Sequence, residues 1–141
     1  MATITVPAIL GNIPVVTQFI EDNLEQAGCP MKEMMQIEMA TDEIFSNISY
    51  YAYPKNEPGE ATVHVDVDVS SSTVDVTFED AGIAFNPLDI REPDVSLSVE
   101  ERSPGGLGIF LVRKVMDALT YERVGNKNVL HIRKKWQPEE S

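Results

Sequence analysis

Glu43 and Asn47 stand four residues apart in a stretch of helical period, so their side chains lie one above the other on one helix face. A carboxylate beside a neutral carbonyl oxygen suits a site that takes a proton from a hydroxyl and holds Mg²⁺ weakly, with waters and substrate phosphates completing the shell. A second group is Asp80-Ala-Gly82-Ile-Ala84-Phe85 at the end of an alternating strand. A third is Gly105-Gly106-Leu107-Gly108 at the head of an apolar helix, where the first N–H groups lack intrahelical partners and favour an anion. A carboxylate that reads a base, backbone donors that hold phosphates and a Glu/Asn pair for metal and proton together describe a nucleotide site. Each group alone has a plainer reading: a solvated i, i+4 pair, an Asp capping a turn, and a glycine linker entering a core helix.

The elements that must position these residues follow from period. In Ser72 to Asp80 the residues Val74, Val76 and Phe78 fall on even positions and Thr73, Asp75, Thr77 and Glu79 on odd ones, the alternation of a half-buried strand. Asp80 continues the even series and is expected to face the core, where a carboxylate needs partners. A helix from about Met31 to Tyr53 carries an apolar stripe through Ile37, Ala40, Ile44, Ile48 and Tyr51, with Glu43 and Asn47 offset from it. After the glycines, Leu107, Leu111, Val112, Val115, Met116 and Leu119 recur at helical spacing. Strands are also expected near Ala2 to Pro7, Ala61 to Val69, Leu119 to Val124 and Asn128 to Trp136, with a further helix near Ile13 to Ala27. His64 and His131 fall on polar strand faces and read as surface residues. The fold class is α+β: a two-layer α/β sandwich with helices on one face of a mixed, mostly antiparallel sheet. Neither a P-loop nor a Rossmann fingerprint is present.

The order helix with Glu-x-x-x-Asn, strand ending in Asp-x-Gly, loop, then Gly-rich helix start resembles the N, G1 and G2 boxes of the Bergerat-type ATP-binding fold, the histidine kinase-like ATPase superfamily. Within it, Asp42-Glu43-Ile-Phe-Ser-Asn47-Ile-Ser-Tyr-Tyr51-Ala52-Tyr53 looks most like the anti-sigma factor serine/threonine kinases, and the resemblance covers roughly residues 8 to 136. It implies one domain over 1–141 with an ATP lid at about 86–104, and ATP and Mg²⁺ as cofactors. By the same resemblance Asn47 ligates Mg²⁺, Glu43 is the general base, Asp80 accepts from the adenine amino group and Gly82 lets the base approach. Gly105, Gly106, Leu107 and Gly108 offer N–H groups to the phosphates, and Arg102 in the lid reaches the terminal phosphate. The implied activity is transfer of the γ-phosphoryl group to a serine of a small anti-sigma-factor antagonist, alternating with capture of a sigma factor. The alternative is a non-catalytic module of the same fold that sequesters a protein partner, with or without nucleotide, and a homodimer is left open. Two departures stand out: Ala84 where the G1 box often has a second glycine, and Tyr51 where the family frequently has a histidine.

Composition agrees with a compact domain. The chain has 141 residues, 43% of them hydrophobic, with 11 basic and 23 acidic residues and a net charge of −12. That balance argues against direct nucleic-acid binding, which depends on Lys and Arg clusters, and is compatible with a basic protein partner. Cys29 is the lone cysteine, so no internal disulfide forms. Neither a secretory leader nor an apolar run of the roughly 18 residues that a membrane span needs is present, so the expected location is the cytoplasm.

Overall fold

The structure, a computed structural model, describes residues 1–54, 56–87 and 106–137. Five strands form one sheet: β1 (Ala2–Pro7), β2 (Glu60–Asp68), β3 (Thr73–Asp80), β4 (Ala118–Val124) and β5 (Lys127–Lys135). Their order is β1-β2-β3-β5-β4, and every neighbouring pair is antiparallel, so the mixed component expected from sequence is absent among the described strands. Three helices, α1 (Ile13–Gln26), α2 (Met31–Tyr51) and α3 (Gly106–Val115), complete the described elements, apart from a short 3-10 turn at Leu10–Asn12.

Period dictates which sheet face the helices cover. Ala61, Val63 and Val65 of β2, Val74, Val76 and Phe78 of β3, and Leu130 and Ile132 of β5 are all buried and stand side by side in the register. Against them pack Val16, Ile20 and Leu24 of α1 and Ile37, Ile44 and Phe45 of α2. The opposite sheet face is polar: His64 pairs with Glu79, and Asp75 binds both His131 and Arg133. Both histidines therefore serve cross-strand pairs on the helix-free face.

Local chemistry sets the element ends. α1 starts with Pro14 in its first turn and stops at Gly28, whose φ of 76° allows a Schellman closure. In that closure Gly28 N–H donates to Glu25 O, and Cys29 N–H to Leu24 O. The β4–β5 hairpin turns at Gly125-Asn126, with φ of 60° at the glycine. α3 departs from the predicted stripe. It ends at Val115, and its buried residues are Ile109 together with Val112, followed by Met116, whereas Leu111 is exposed and Leu119 already lies in β4. The reason is that Asp117 N–H leaves the helix ladder for Arg133 O, which draws the chain into the sheet.

Candidate active site

Asp80 ends β3 on the core face, as the even series requires, and is 6% exposed. Its Oδ1 accepts from Gly82 N–H at 2.9 Å and from Asn128 Nδ2 at 2.9 Å. The turn after it is fixed by α2: Ile83 N–H donates to Ala52 O, and a methyl group at Gly82 would overlap the Ala52 carbonyl. Glycine at 82 is thus demanded by the packing of this turn on the end of α2. Ala84 has no positive φ, so the residue that replaces the expected second glycine sits without strain.

Asp80 lines a pocket with about 380 Å³ of unfilled space, part of it open to solvent. Asn47, Ile44 and Phe78 contribute to its walls, as do Phe85, Tyr121 and Asn128. Its lining is mainly apolar with a few convergent polar groups, the character of a small-molecule site. Phe85 stacks on Tyr51 with ring centroids 5.1 Å apart and planes 27° from parallel, so the tyrosine at the departing position supports a pocket wall.

The Glu/Asn pair lies on α2 as its spacing predicts, but deeper than a solvated face. Asn47 is only 4% exposed, and both Asn47 Nδ2 and Glu43 Oε1 are buried without a hydrogen-bond partner among the described residues. Buried polar atoms left unpaired in this way are costly and mark a place for a ligand. Burial pushes the Glu43 carboxyl above the ordinary glutamate range, and the neighbouring Asn47 amide offsets part of that rise. The Asn47 amide can turn to present its carbonyl oxygen, a hard neutral donor of the kind Mg²⁺ accepts, so the residues present fit that ion.

α3 brings the third group in. A methyl group at Gly108 would overlap the Glu43 carboxylate, so the first turn of α3 rests directly against the catalytic candidate. Gly106 opens this helix and Leu107 and Gly108 follow within its first turn, where backbone N–H groups point out of the helix. Gly105, Arg102 and residues 88–104 of the lid expected at about 86–104 lie outside the described residues. Sequence reasoning missed Asn128, Tyr121 and also Arg123, whose guanidinium donates to Gly82 O at 2.8 Å.

An α/β sandwich with a carboxylate at a strand end, a buried Asn and a half-buried Glu on the covering helix and a glycine helix start facing that pair belongs to the class of nucleotide-binding ATPase domains. Comparison with known proteins names the family. A family model described as "Histidine kinase-like ATPase domain" matches residues 6–134, and the chain belongs to that family. It is 30% identical over 101 residues to the serine/threonine-protein kinase BtrW of Bordetella bronchiseptica, an alignment covering 72% of this chain and 70% of that protein. It is 25% identical over 117 residues to the serine-protein kinase RsbW of Bacillus subtilis, covering 79% and 71%. Among solved structures, one from the SiaB–SiaC complex of Pseudomonas aeruginosa matches with a TM-score of 0.60 at 15% identity, over 95% of this chain and 89% of that one. The blue-light activated histidine kinase of Erythrobacter litoralis matches with a TM-score of 0.52 at 19% identity, over 75% of this chain and 31% of that kinase. At these identities the two structures establish the fold alone.

Proposed function

We propose that this protein is an ATP- and Mg²⁺-dependent serine/threonine protein kinase that controls transcription by switching between protein partners, an antagonist that it phosphorylates and a sigma factor that it holds. The observation that carries the reading is the seating of the half-buried Glu43 carboxylate against Gly108 at the head of α3, beside Asn47, whose Nδ2 lacks a partner among the described residues and which lines the pocket with Asp80. The two kinase relatives support the activity.

In this mechanism the adenine amino group donates to Asp80, and the phosphates run toward the N–H groups of Gly105, Gly106, Leu107 and Gly108. Arg102 meets the terminal phosphate. Asn47 holds Mg²⁺, which supplies neutralisation of the phosphate charge when bound. The serine hydroxyl oxygen attacks the γ-phosphorus while the bond to the β–γ bridging oxygen breaks, ADP leaves with that electron pair, and the hydroxyl proton passes to Glu43. A base raised by burial suits that step, since a more basic carboxylate takes the proton more readily. The five strands share one sheet, which supports reading 1–141 as one ATPase domain. No helix among the described residues is long and apolar enough to cross a membrane. Action in the cytoplasm, where sigma factors work, is part of the proposal.

The test is incubation of the purified protein with γ-labelled ATP and the small proteins encoded beside it. Acid-stable label on a serine or threonine of one of them, lost with Glu43→Gln, is expected. Retained nucleotide binding with no labelled partner would overturn the kinase and leave a nucleotide-bound sequestering module.

A further inference from the structure

Asn128, the second residue of β5, stands directly opposite Asp80 in the register, 5% exposed, and every hydrogen-bonding group of its amide is engaged. Its Nδ2 donates to Asp80 Oδ1 at 2.9 Å and to Ile83 O at 2.7 Å. Its Oδ1 accepts from the Tyr121 hydroxyl and from Phe85 N–H at 3.3 Å. An asparagine amide has two N–H donors and two acceptor lone pairs, so this side chain has nothing left to offer a ligand even though it lines the pocket. Asp80 is in the opposite condition. Its Oδ1 is taken by Asn128 and Gly82, while no described residue donates to Oδ2.

We propose that Asn128 is the positioning residue for base selection: it and the Tyr121 hydroxyl lock the Asp80 carboxylate by one oxygen, so that the other is presented to the base as a fixed acceptor. This rests on the reading of the pocket as an adenine site. The amide works as a relay. Tyr121 and Phe85 fix which end of Asn128 is the acceptor, and so force its NH₂ toward Asp80. A locked acceptor rewards a base with an amino group at its 6-position and repels one with an oxo group there. A carboxylate released from the lock can turn, losing the first contact and relieving the second, so selectivity falls from both sides.

The experiment compares ATP with inosine triphosphate, which carries an oxo group and a protonated N1 where adenine has its amino group and a bare N1, by calorimetry on wild type, Asn128→Ala and Tyr121→Phe. The wild type is expected to prefer ATP by at least about tenfold. Asn128→Ala should bring the two affinities within about threefold of each other, and Tyr121→Phe, which removes a single donor, should lower the ratio by an intermediate amount. A purely structural role for Asn128 predicts otherwise: a loosened 81–85 turn weakens both nucleotides equally and leaves their ratio unchanged, and that result overturns the proposal. Should Asn128→Ala fail to fold, Tyr121→Phe decides alone by the same ratio. A wild type that binds both triphosphates equally, or neither, defeats the adenine reading of the pocket itself and this inference with it; a selective wild type with selective variants defeats only the inference.

Discussion

Glu43 is held at a cost to the fold. Burial raises its carboxyl above the ordinary range, so ionising it costs more in the folded protein than in the unfolded chain, where water solvates the charge. For a carboxyl raised on folding, the native state binds more protons than the unfolded state in the window between the ordinary and the raised value. Stability is therefore gained as pH falls through that window, and the penalty is complete above it. Glu43→Gln removes the buried charge and keeps the shape, so it should raise Tm at pH 7, with the gain shrinking as the pH approaches the ordinary carboxylate range. The same change should lower phosphoryl transfer by about 10²-fold or more while nucleotide affinity stays near wild type. Thermal melts across pH beside a transfer assay read both, and a variant that is less stable and equally active would remove the base role. Asn47→Ala has a different signature: it should abolish the Mg²⁺ dependence of nucleotide binding, measured by calorimetry with and without the ion. An unaltered Mg²⁺ dependence would show that Asn47 does not hold the metal.

The same residue type does different work at two elements. At Gly82 an added methyl group meets the Ala52 backbone carbonyl at the end of α2, which has no room to yield. At Gly108 the overlapped atoms belong to the Glu43 side chain from Cγ to its carboxylate, which can rotate where a backbone carbonyl cannot. Gly82→Ala should therefore cost about 1–3 kcal/mol or more in denaturant unfolding. Gly108→Ala gains about 0.8–1 kcal/mol of helix propensity against a small displacement, so it should melt near wild type yet lose most of its transfer because the carboxylate is pushed aside. Equal destabilisation of the two variants would show that α3 does not rest on Glu43 as described. The elements themselves were legible because their periods are clean: β2, β3 and β5 alternate and α2 carries its stripe, so Asp80 could be placed on the core face from position alone. Asn128 carried the same signal, continuing the even series of Leu130 and Ile132 in β5, but a polar residue at the first position of an expected strand reads as a solvated strand end. The burial of Asn47 was hidden for another reason. α2 is covered by β-strands on one side and by α1 and α3 on others, and a single periodic stripe reports only one of these contacts. The end of α3 was misread because the last residue of its expected stripe, Leu119, belongs to the next strand, which extends the helical period past the true end.

For the molecule as a whole, a net charge of −12 makes the folded state work against its own field. The strain concentrates between α1 and α2. Glu38 is raised by burial, then by Glu21, Asp42 and Glu25, and Asp42 is raised by burial against the opposing hydroxyl of Thr17. Two groups pull the other way. At Asp75 burial pushes upward but the bonds from Arg133 and His131 outweigh it and hold the carboxyl below the ordinary range, while the Ser70 and Ser71 donors lower that of Asp68. The signs then fix the shape of the stability profile. Raised groups withhold stability at neutral pH and return it as pH falls through their folded values, whereas lowered groups contribute stability above the ordinary range and lose it only as pH falls through their depressed folded values. Tm should consequently climb as pH falls from neutral into the range where the raised carboxyls take up protons, pass a maximum, and fall at lower pH as Asp75 is protonated. Added salt should raise Tm at pH 7 through screening of the like charges, and should do so less near the maximum, where fewer of them remain. Melts over pH at low and high ionic strength test both statements, and a Tm that is flat or declining as pH falls from neutral into that range, or insensitive to salt at pH 7, would show that carboxylate repulsion does not limit this fold.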